Sequence, residues 1–124
     1  TLEQTFNLVL FALNNMEGGE IFVPKIPSMK LIDLFNTLIP GAEKEIIGIR
    51  PGEKLHEVLL TEQEARHALF LENHYVILPE FLRGGDKYEK YLRLGKEIGP
   101  NFRFASDTNE NWITTEDLKR MLNI

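Results

Sequence analysis

Between residues 20 and 49 the chain is punctuated so closely that few arrangements remain open to it. Glu20-Ile21-Phe22-Val23 is a short apolar run, and Pro24-Lys25-Ile26-Pro27 ends it, because two prolines forbid helix and leave an extended corner. Ser28 then stands where a helix cap is expected. Leu31, Leu34, Phe35 and Leu38 form one face of a helix over residues 29–39, and Pro40-Gly41 terminates it. Glu45-Ile46-Ile47-Gly48-Ile49 reads as a buried strand. Strand, helix, strand in this order predicts a parallel pair with a right-handed crossover, hence an α/β fold of short, mostly parallel strands with packed helices.

Flanking segments supply further helices. Thr1 and Gln4 form a capping box, and Phe6, Val9, Leu10 and Leu13 recur at helical spacing until Gly18-Gly19 stops the helix after Met16. Leu2, Leu8, Phe11 and Ala12 widen that stripe, which predicts burial on more than one side. A chain that opens on the first cap of its first helix, without an initiator Met, reads as a piece of a longer protein in which part of this face is orphaned. Thr61 and Glu64 make a second capping box, opening a short helix with Ala65, Arg66, His67 and Ala68. Tyr75 to Leu78 reads as a strand closed by Pro79, and Phe102 to Ala105 as extended chain. Residues 84–100 are charged and weakly patterned, a surface loop or a short helix through Tyr88, Tyr91, Leu92 and Leu94. After the polar turn Ser106-Asp107-Thr108-Asn109, Thr114 caps a last helix with Asp117 at its third position, an inner face of Leu118, Met121 and Leu122, and Trp112 as a staple.

A chain of 124 residues, 43% of them hydrophobic, has material for one domain, 1–124, with its own core. A formal charge of −5 argues against a nucleic-acid surface, where a basic stripe is expected. Without cysteine there are neither disulfides nor thiolate metal sites, and nothing points to an oxidising compartment, so the cytosol is the expected location. Apolar stretches stop well short of the ~20 residues of a membrane span. His56, His67 and His74 lack the i, i+4 spacing of a zinc site, so no metal is expected.

The chemistry is concentrated in Arg50-Pro51-Gly52-Glu53-Lys54-Leu55-His56-Glu57. Proline presets one corner of a turn and glycine tolerates positive φ at the next, so Arg50 and Glu53 can face one volume. A guanidinium fits phosphate oxygens as a planar fork, and a carboxylate accepts sugar hydroxyls; together they suit a diphosphate and a vicinal diol. The same two residues also fit a surface ion pair, which is common and worth little. Lys25, at the C-terminal end of its strand, converges with Arg50 if the two strands are parallel; a solvated loop lysine is its ordinary alternative.

Three strings carry a family likeness: Gly19 to Lys30, Ile47 to Val58, and Ser106-Asp107-Thr108-Asn109 with Trp112. They closely resemble the C-terminal portion of UDP-N-acetylglucosamine 4,6-dehydratases, lyases of the extended short-chain dehydrogenase/reductase superfamily that feed bacterial capsule, O-antigen and flagellin-glycan synthesis. The resemblance runs through nearly the whole chain, and residues 84–100 are its least family-like part. It implies the small C-terminal substrate-binding domain, with the Rossmann domain absent from this chain and a homo-oligomer as the assembly. It puts Arg50 on the diphosphate of a UDP-sugar and Glu53 on the uridine ribose, with Lys25 and Pro24 lining the uridine side. The N-terminal Rossmann domain of such an enzyme holds NADP or NAD and the catalytic Tyr-Lys pair. This sequence has neither G-x-x-G-x-x-G nor Tyr-x-x-x-Lys, so no cofactor-binding or catalytic residue is expected in it. A related UDP-sugar epimerase or reductase, and a non-catalytic nucleotide-binding or self-association module, are the competing readings.

Overall fold

The computed structural model describes residues 1–124, which form two compact units: Thr1–Lys25 with Leu59–Arg103, and Ile26–Val58 with Phe104–Ile124. Helices are mixed with strands, but every pairing in the main sheet is antiparallel. No helix is long and apolar enough to cross a membrane.

In the first unit, four strands lie in the order β1-β4-β3-β5: β1 (Ile21–Pro24), β4 (His74–Ile77), β3 (Ala68–Leu71) and β5 (Gly95–Glu97). β3 and β4 are a hairpin joined through Glu72-Asn73, with Leu69 opposite Val76 and Leu71 opposite His74. Pro24 is accommodated because β1 is an edge strand, where a missing N–H costs no ladder bond. One face of the sheet carries Leu69, Leu71 and Val76, which close with Leu78 and Tyr91 into a core edged by Phe11, Phe22, Tyr88 and Leu92.

Two helices bring side chains to that face. Helix α1 (Leu2–Asn15) starts at the Thr1–Gln4 capping box, as expected, and contributes Phe11, whose ring meets the edge of Phe22 at 6.0 Å between centroids. Helix α4 (Asp86–Leu94) contributes Tyr91, which is completely buried. Of the two alternatives for residues 84–100, the short helix through Tyr88, Tyr91, Leu92 and Leu94 is the one that forms, and a strand, β5, follows it where none was expected. The Tyr91 hydroxyl lies 2.9 Å from Glu20 Oε1 and 3.1 Å from the Asn15 carbonyl, and burial pushes its pKa far up. The other oxygen of Glu20 accepts the Gly18 N–H at 2.8 Å, closing the glycine turn in which Gly18 and Gly19 have φ of 123° and 86°. Lys90 ties the same corner, donating to Asn15 O and Glu17 Oε1 at 3.0 Å each. The broad apolar stripe of α1 is not buried on two sides: Leu2, Phe6, Val9, Leu10 and Leu13 are exposed and no residue of the helix is fully buried.

The second capping box also forms, but α3 is only Glu62–Ala65, and Ala68 opens β3 instead of continuing the helix. The His67 carbonyl accepts the Leu78 N–H at 2.8 Å, so the chain at His67 already extends the hairpin ladder.

In the second unit, α2 (Leu31–Leu38) packs with α5 (Thr115–Leu122). Thr114 and Asp117 form the expected box at the start of α5, whose inward residue is Leu118; Met121 and Leu122 are exposed. Ser28 does not cap α2, which begins after Lys30 without a side-chain cap. Its groups are engaged elsewhere: its N–H donates to Asn111 O and its carbonyl accepts from Ile113 N, both at 2.8 Å, in a parallel bridge beside Trp112. Two short strands, β2 (Val58–Leu60) and β6 (Phe104–Ala105), lie where the chain passes between units.

The parallel crossover expected from residues 20–49 is not formed. β1 pairs antiparallel with β4, and residues 45–49 are not a strand. Gly48 at φ 80° bends the run in its middle, and Ile46, 97% exposed, and Ile47 have no partner strand. An extended run without a neighbour has no ladder bonds to hold it.

Candidate functional site

The Arg-Pro-Gly-Glu bend is built as its residues dictate. Glu53 N donates to Arg50 O at 3.0 Å across Pro51-Gly52, and Gly52 takes φ 88°, a conformation that disfavours a side chain. Glu53 then reaches back, its Oε2 accepting the Arg50 N–H at 2.9 Å, while Oε1 stands 4.0 Å from Arg50 Nε. The two side chains thus lie on one side of the turn. They are 72% and 53% exposed, so their mutual ion pair contributes at most about 1 kcal/mol and leaves the guanidinium fork open to a stronger acceptor. Because 45–49 is not a strand, Arg50 leaves a loop and not a sheet end.

The far end of this block is anchored by a residue whose role the sequence did not disclose. Ser106 takes the Glu57 N–H on Oγ at 3.0 Å and donates its own N–H to Glu57 O at 2.9 Å. Three residues on, buried Asn109 donates to Ile26 O at 2.8 Å and to Ser28 Oγ at 3.2 Å, and its Oδ1 accepts from Asn111 N. The Ser-Asp-Thr-Asn cluster is therefore a brace for residues 26–28 and 57. No local signal reveals such a role, since its partners are 49 and 81 or more positions away.

Pro24 and Lys25 belong to the other unit. Lys25 N donates to Asn73 O at 3.1 Å, and its ammonium lies 5.0 Å from the centroid of Phe70. Lys96, which sequence reasoning passed over, approaches the same ring at 5.8 Å. Phe70 continues into Tyr75 and Phe102 at 5.3 Å per step, giving the sheet an aromatic row with cations at one end. Each such cation–ring contact contributes ~0.5–1 kcal/mol when exposed. Of the three histidines, His56 is exposed, His67 lines a groove in the first unit, and His74 is buried against Phe11 and Phe22. Burial lowers the pKa of His74.

Comparison with known proteins adds to this geometry. Residues 1–79 match the family model described as Polysaccharide biosynthesis protein. The chain is 37% identical over 128 residues to the UDP-N-acetylglucosamine 4,6-dehydratase (inverting) of Campylobacter jejuni subsp. jejuni serotype O:2, covering 99% of this chain and 38% of that protein. It is 31% identical over 127 residues to the UDP-glucose 4-epimerase of Rickettsia canadensis, covering 98% of this chain and 36% of the relative. Among solved structures, Pen from Bacillus thuringiensis superposes with a TM-score of 0.78 at 28% identity, over 99% of this chain and 36% of that one. The chain thus spans little more than a third of the length of each.

Proposed function

Because the chain belongs to the polysaccharide biosynthesis protein family, we propose that it is the C-terminal, nucleotide-sugar-binding part of a UDP-N-acetylglucosamine 4,6-dehydratase serving bacterial surface glycan synthesis. Arg50 takes the diphosphate, Glu53 the uridine ribose, and Lys25 with Pro24 the uridine side. The observation that carries this reading is the bend at 50–53, which holds a guanidinium and a carboxylate together, exposed and only weakly committed to each other. A diphosphate is a better acceptor for that fork than a solvated carboxylate, because two charge-assisted bonds form at once.

Residues of this chain do not fit a nicotinamide dinucleotide. Neither β1 to α2 nor β2 to α3 is joined by a glycine-rich turn that would bring backbone N–H groups to a pyrophosphate. In the parent enzyme NADP or NAD would be held by the Rossmann part, and homo-oligomeric assembly belongs to the same reading.

Replacing Arg50 with Ala in the parent enzyme is expected to raise the dissociation constant for UDP-N-acetylglucosamine at least tenfold, since a lost hydrogen bond to a charged group costs about 1.5–3 kcal/mol. Titration calorimetry showing unchanged affinity removes Arg50 from the diphosphate. The likeness to a UDP-glucose 4-epimerase supports a second reading, in which the same grip serves an epimerase. Product analysis separates them: a 4-keto-6-deoxy sugar marks the dehydratase and a C4 epimer the alternative.

A further inference from the structure

A groove of about 340 Å³ opens in the first unit, and none of the residues assigned above to nucleotide-sugar binding lines it. Its apolar lining is Ala68, Leu78, Pro79, Ile98 and Pro100, and its polar lining is Arg66, His67, Arg83, Tyr88 and Glu97. Backbone bonds set these walls. His67 N donates to Glu64 O at 2.9 Å, fixing the Arg66-His67 corner between α3 and β3. Arg83 N donates to Glu80 O at 3.1 Å, so Arg83 closes the short 3-10 helix Glu80–Leu82 that starts at Pro79. Opposite, the Tyr88 hydroxyl on α4 donates to Glu97 Oε1 on β5 at 2.6 Å. That bond, helped by burial, raises the Tyr88 pKa, so the phenol stays a donor and Glu97 stays oriented.

Neither Arg66 nor Arg83 has a carboxylate partner, although the chain carries 19 acidic residues against 14 basic ones. Two guanidiniums kept unneutralised on one concave surface of an acidic chain form an anion receptor, and their planar donor forks match phosphate oxygens. The single carboxylate in the lining has one oxygen committed to Tyr88, and the other is an acceptor for hydroxyls. Two prolines, a leucine and an isoleucine offer a surface for the C–H face of a sugar ring, within the ~300–1,000 Å³ range of small-molecule sites.

We propose that this groove binds a small sugar phosphate, its phosphate on Arg66 and Arg83 and its hydroxyls on Glu97. Its lining shares no residue with the Arg50–Glu53 bend, and the proposal stands whether or not that bend grips a UDP-sugar.

The test uses the 124-residue chain with glucose 6-phosphate, inorganic phosphate and glucose as probes, followed by calorimetry and backbone amide shifts. Glucose 6-phosphate is expected to bind at least tenfold more tightly than either half alone, with shifts gathered at residues 66–68, 78–83 and 97–100. Arg66→Gln and Arg83→Gln are each expected to weaken it tenfold or more, whereas Arg93→Gln, on α4 but outside the groove, leaves it unchanged. Glu97→Gln separates recognition from scaffolding: affinity for glucose 6-phosphate falls while that for inorganic phosphate holds or rises. Absence of saturable binding at millimolar glucose 6-phosphate, equal affinity for inorganic phosphate, or indifference to both arginine changes overturns the proposal.

Discussion

Single residues here are legible where their partners are close in sequence and opaque where they are not. Thr1, Thr61 and Thr114 each find the side chain three positions on, and all three boxes form. Arg50 and Glu53 are similar: proline, glycine and a three-residue spacing suffice to bring them together. Ser28 has the residue type of a cap but does not act as one, because the groups that occupy it belong to residues 109–113. His74 is the other residue whose neighbourhood no local pattern shows. It is 8% exposed, its Nε2 has no partner, and its ring stands 4.5 Å from that of Phe11. Burial disfavours the imidazolium, so the folded pKa lies below 6.5 and the unfolded chain protonates first as pH falls. Stability contributed by neutral His74 is therefore complete above pH 6.5 and drains away as pH drops through the folded value. Urea midpoints are expected to fall between pH 7 and pH 5, and His74→Leu to flatten that slope. An equal slope in the variant would show that His74 is not its source. The lowered carboxylates Glu17, Glu20, Glu64 and Asp117 act in a different window, below 4.5.

Elements show where local propensity yields to pairing. β3 follows a capping box and has no alternation, so Ala68-Leu69-Phe70-Leu71 looks like the continuation of a helix; burial on both faces of a hairpin explains the uninterrupted apolar run. β5, Gly-Lys-Glu, has no strand-forming side chain and exists because β3 offers it an edge. Conversely, residues 45–49 have the composition of a strand and no neighbour, and remain irregular. Gly95 is what lets β5 approach: a Cβ there would stand 2.3 Å from Phe70 O. The backbone is extended at φ −155°, so the obstacle is contact and not conformation. Gly95→Ala is expected to destabilise the chain by ~1–3 kcal/mol through overpacking and to loosen the Tyr88–Glu97 bond carried by β5. Chemical denaturation checks the first, and loss of amide protection at residues 95–97 the second. Wild-type stability in the variant would mean the strands part without cost.

At the scale of the molecule, family likeness was readable from three strings of residues, and 37% identity to a dehydratase accords with it. Strand direction was not readable, because a strand–helix–strand order specifies a parallel pair only when the second strand forms. Chemistry also divides at this scale: with no glycine-rich turn and no Tyr-x-x-x-Lys, the 124-residue chain is expected neither to bind NADP or NAD nor to consume UDP-N-acetylglucosamine. Fluorescence titration and a coupled turnover assay check this, and measurable turnover would place catalytic groups among residues that were assigned none.

The chain enters and leaves its two bodies in alternation, at 25/26, 58/59 and 103/104. Any single recombination point between two homologous genes therefore assembles at least one body from mismatched parental halves, wherever the junction falls. Grafting the unit that carries the Arg50 bend into another chain requires residues 26–58 and 104–124 to travel together, with the intervening segment left behind. A property that depends on one whole body is thus divided by any single exchange point and left intact by a point substitution.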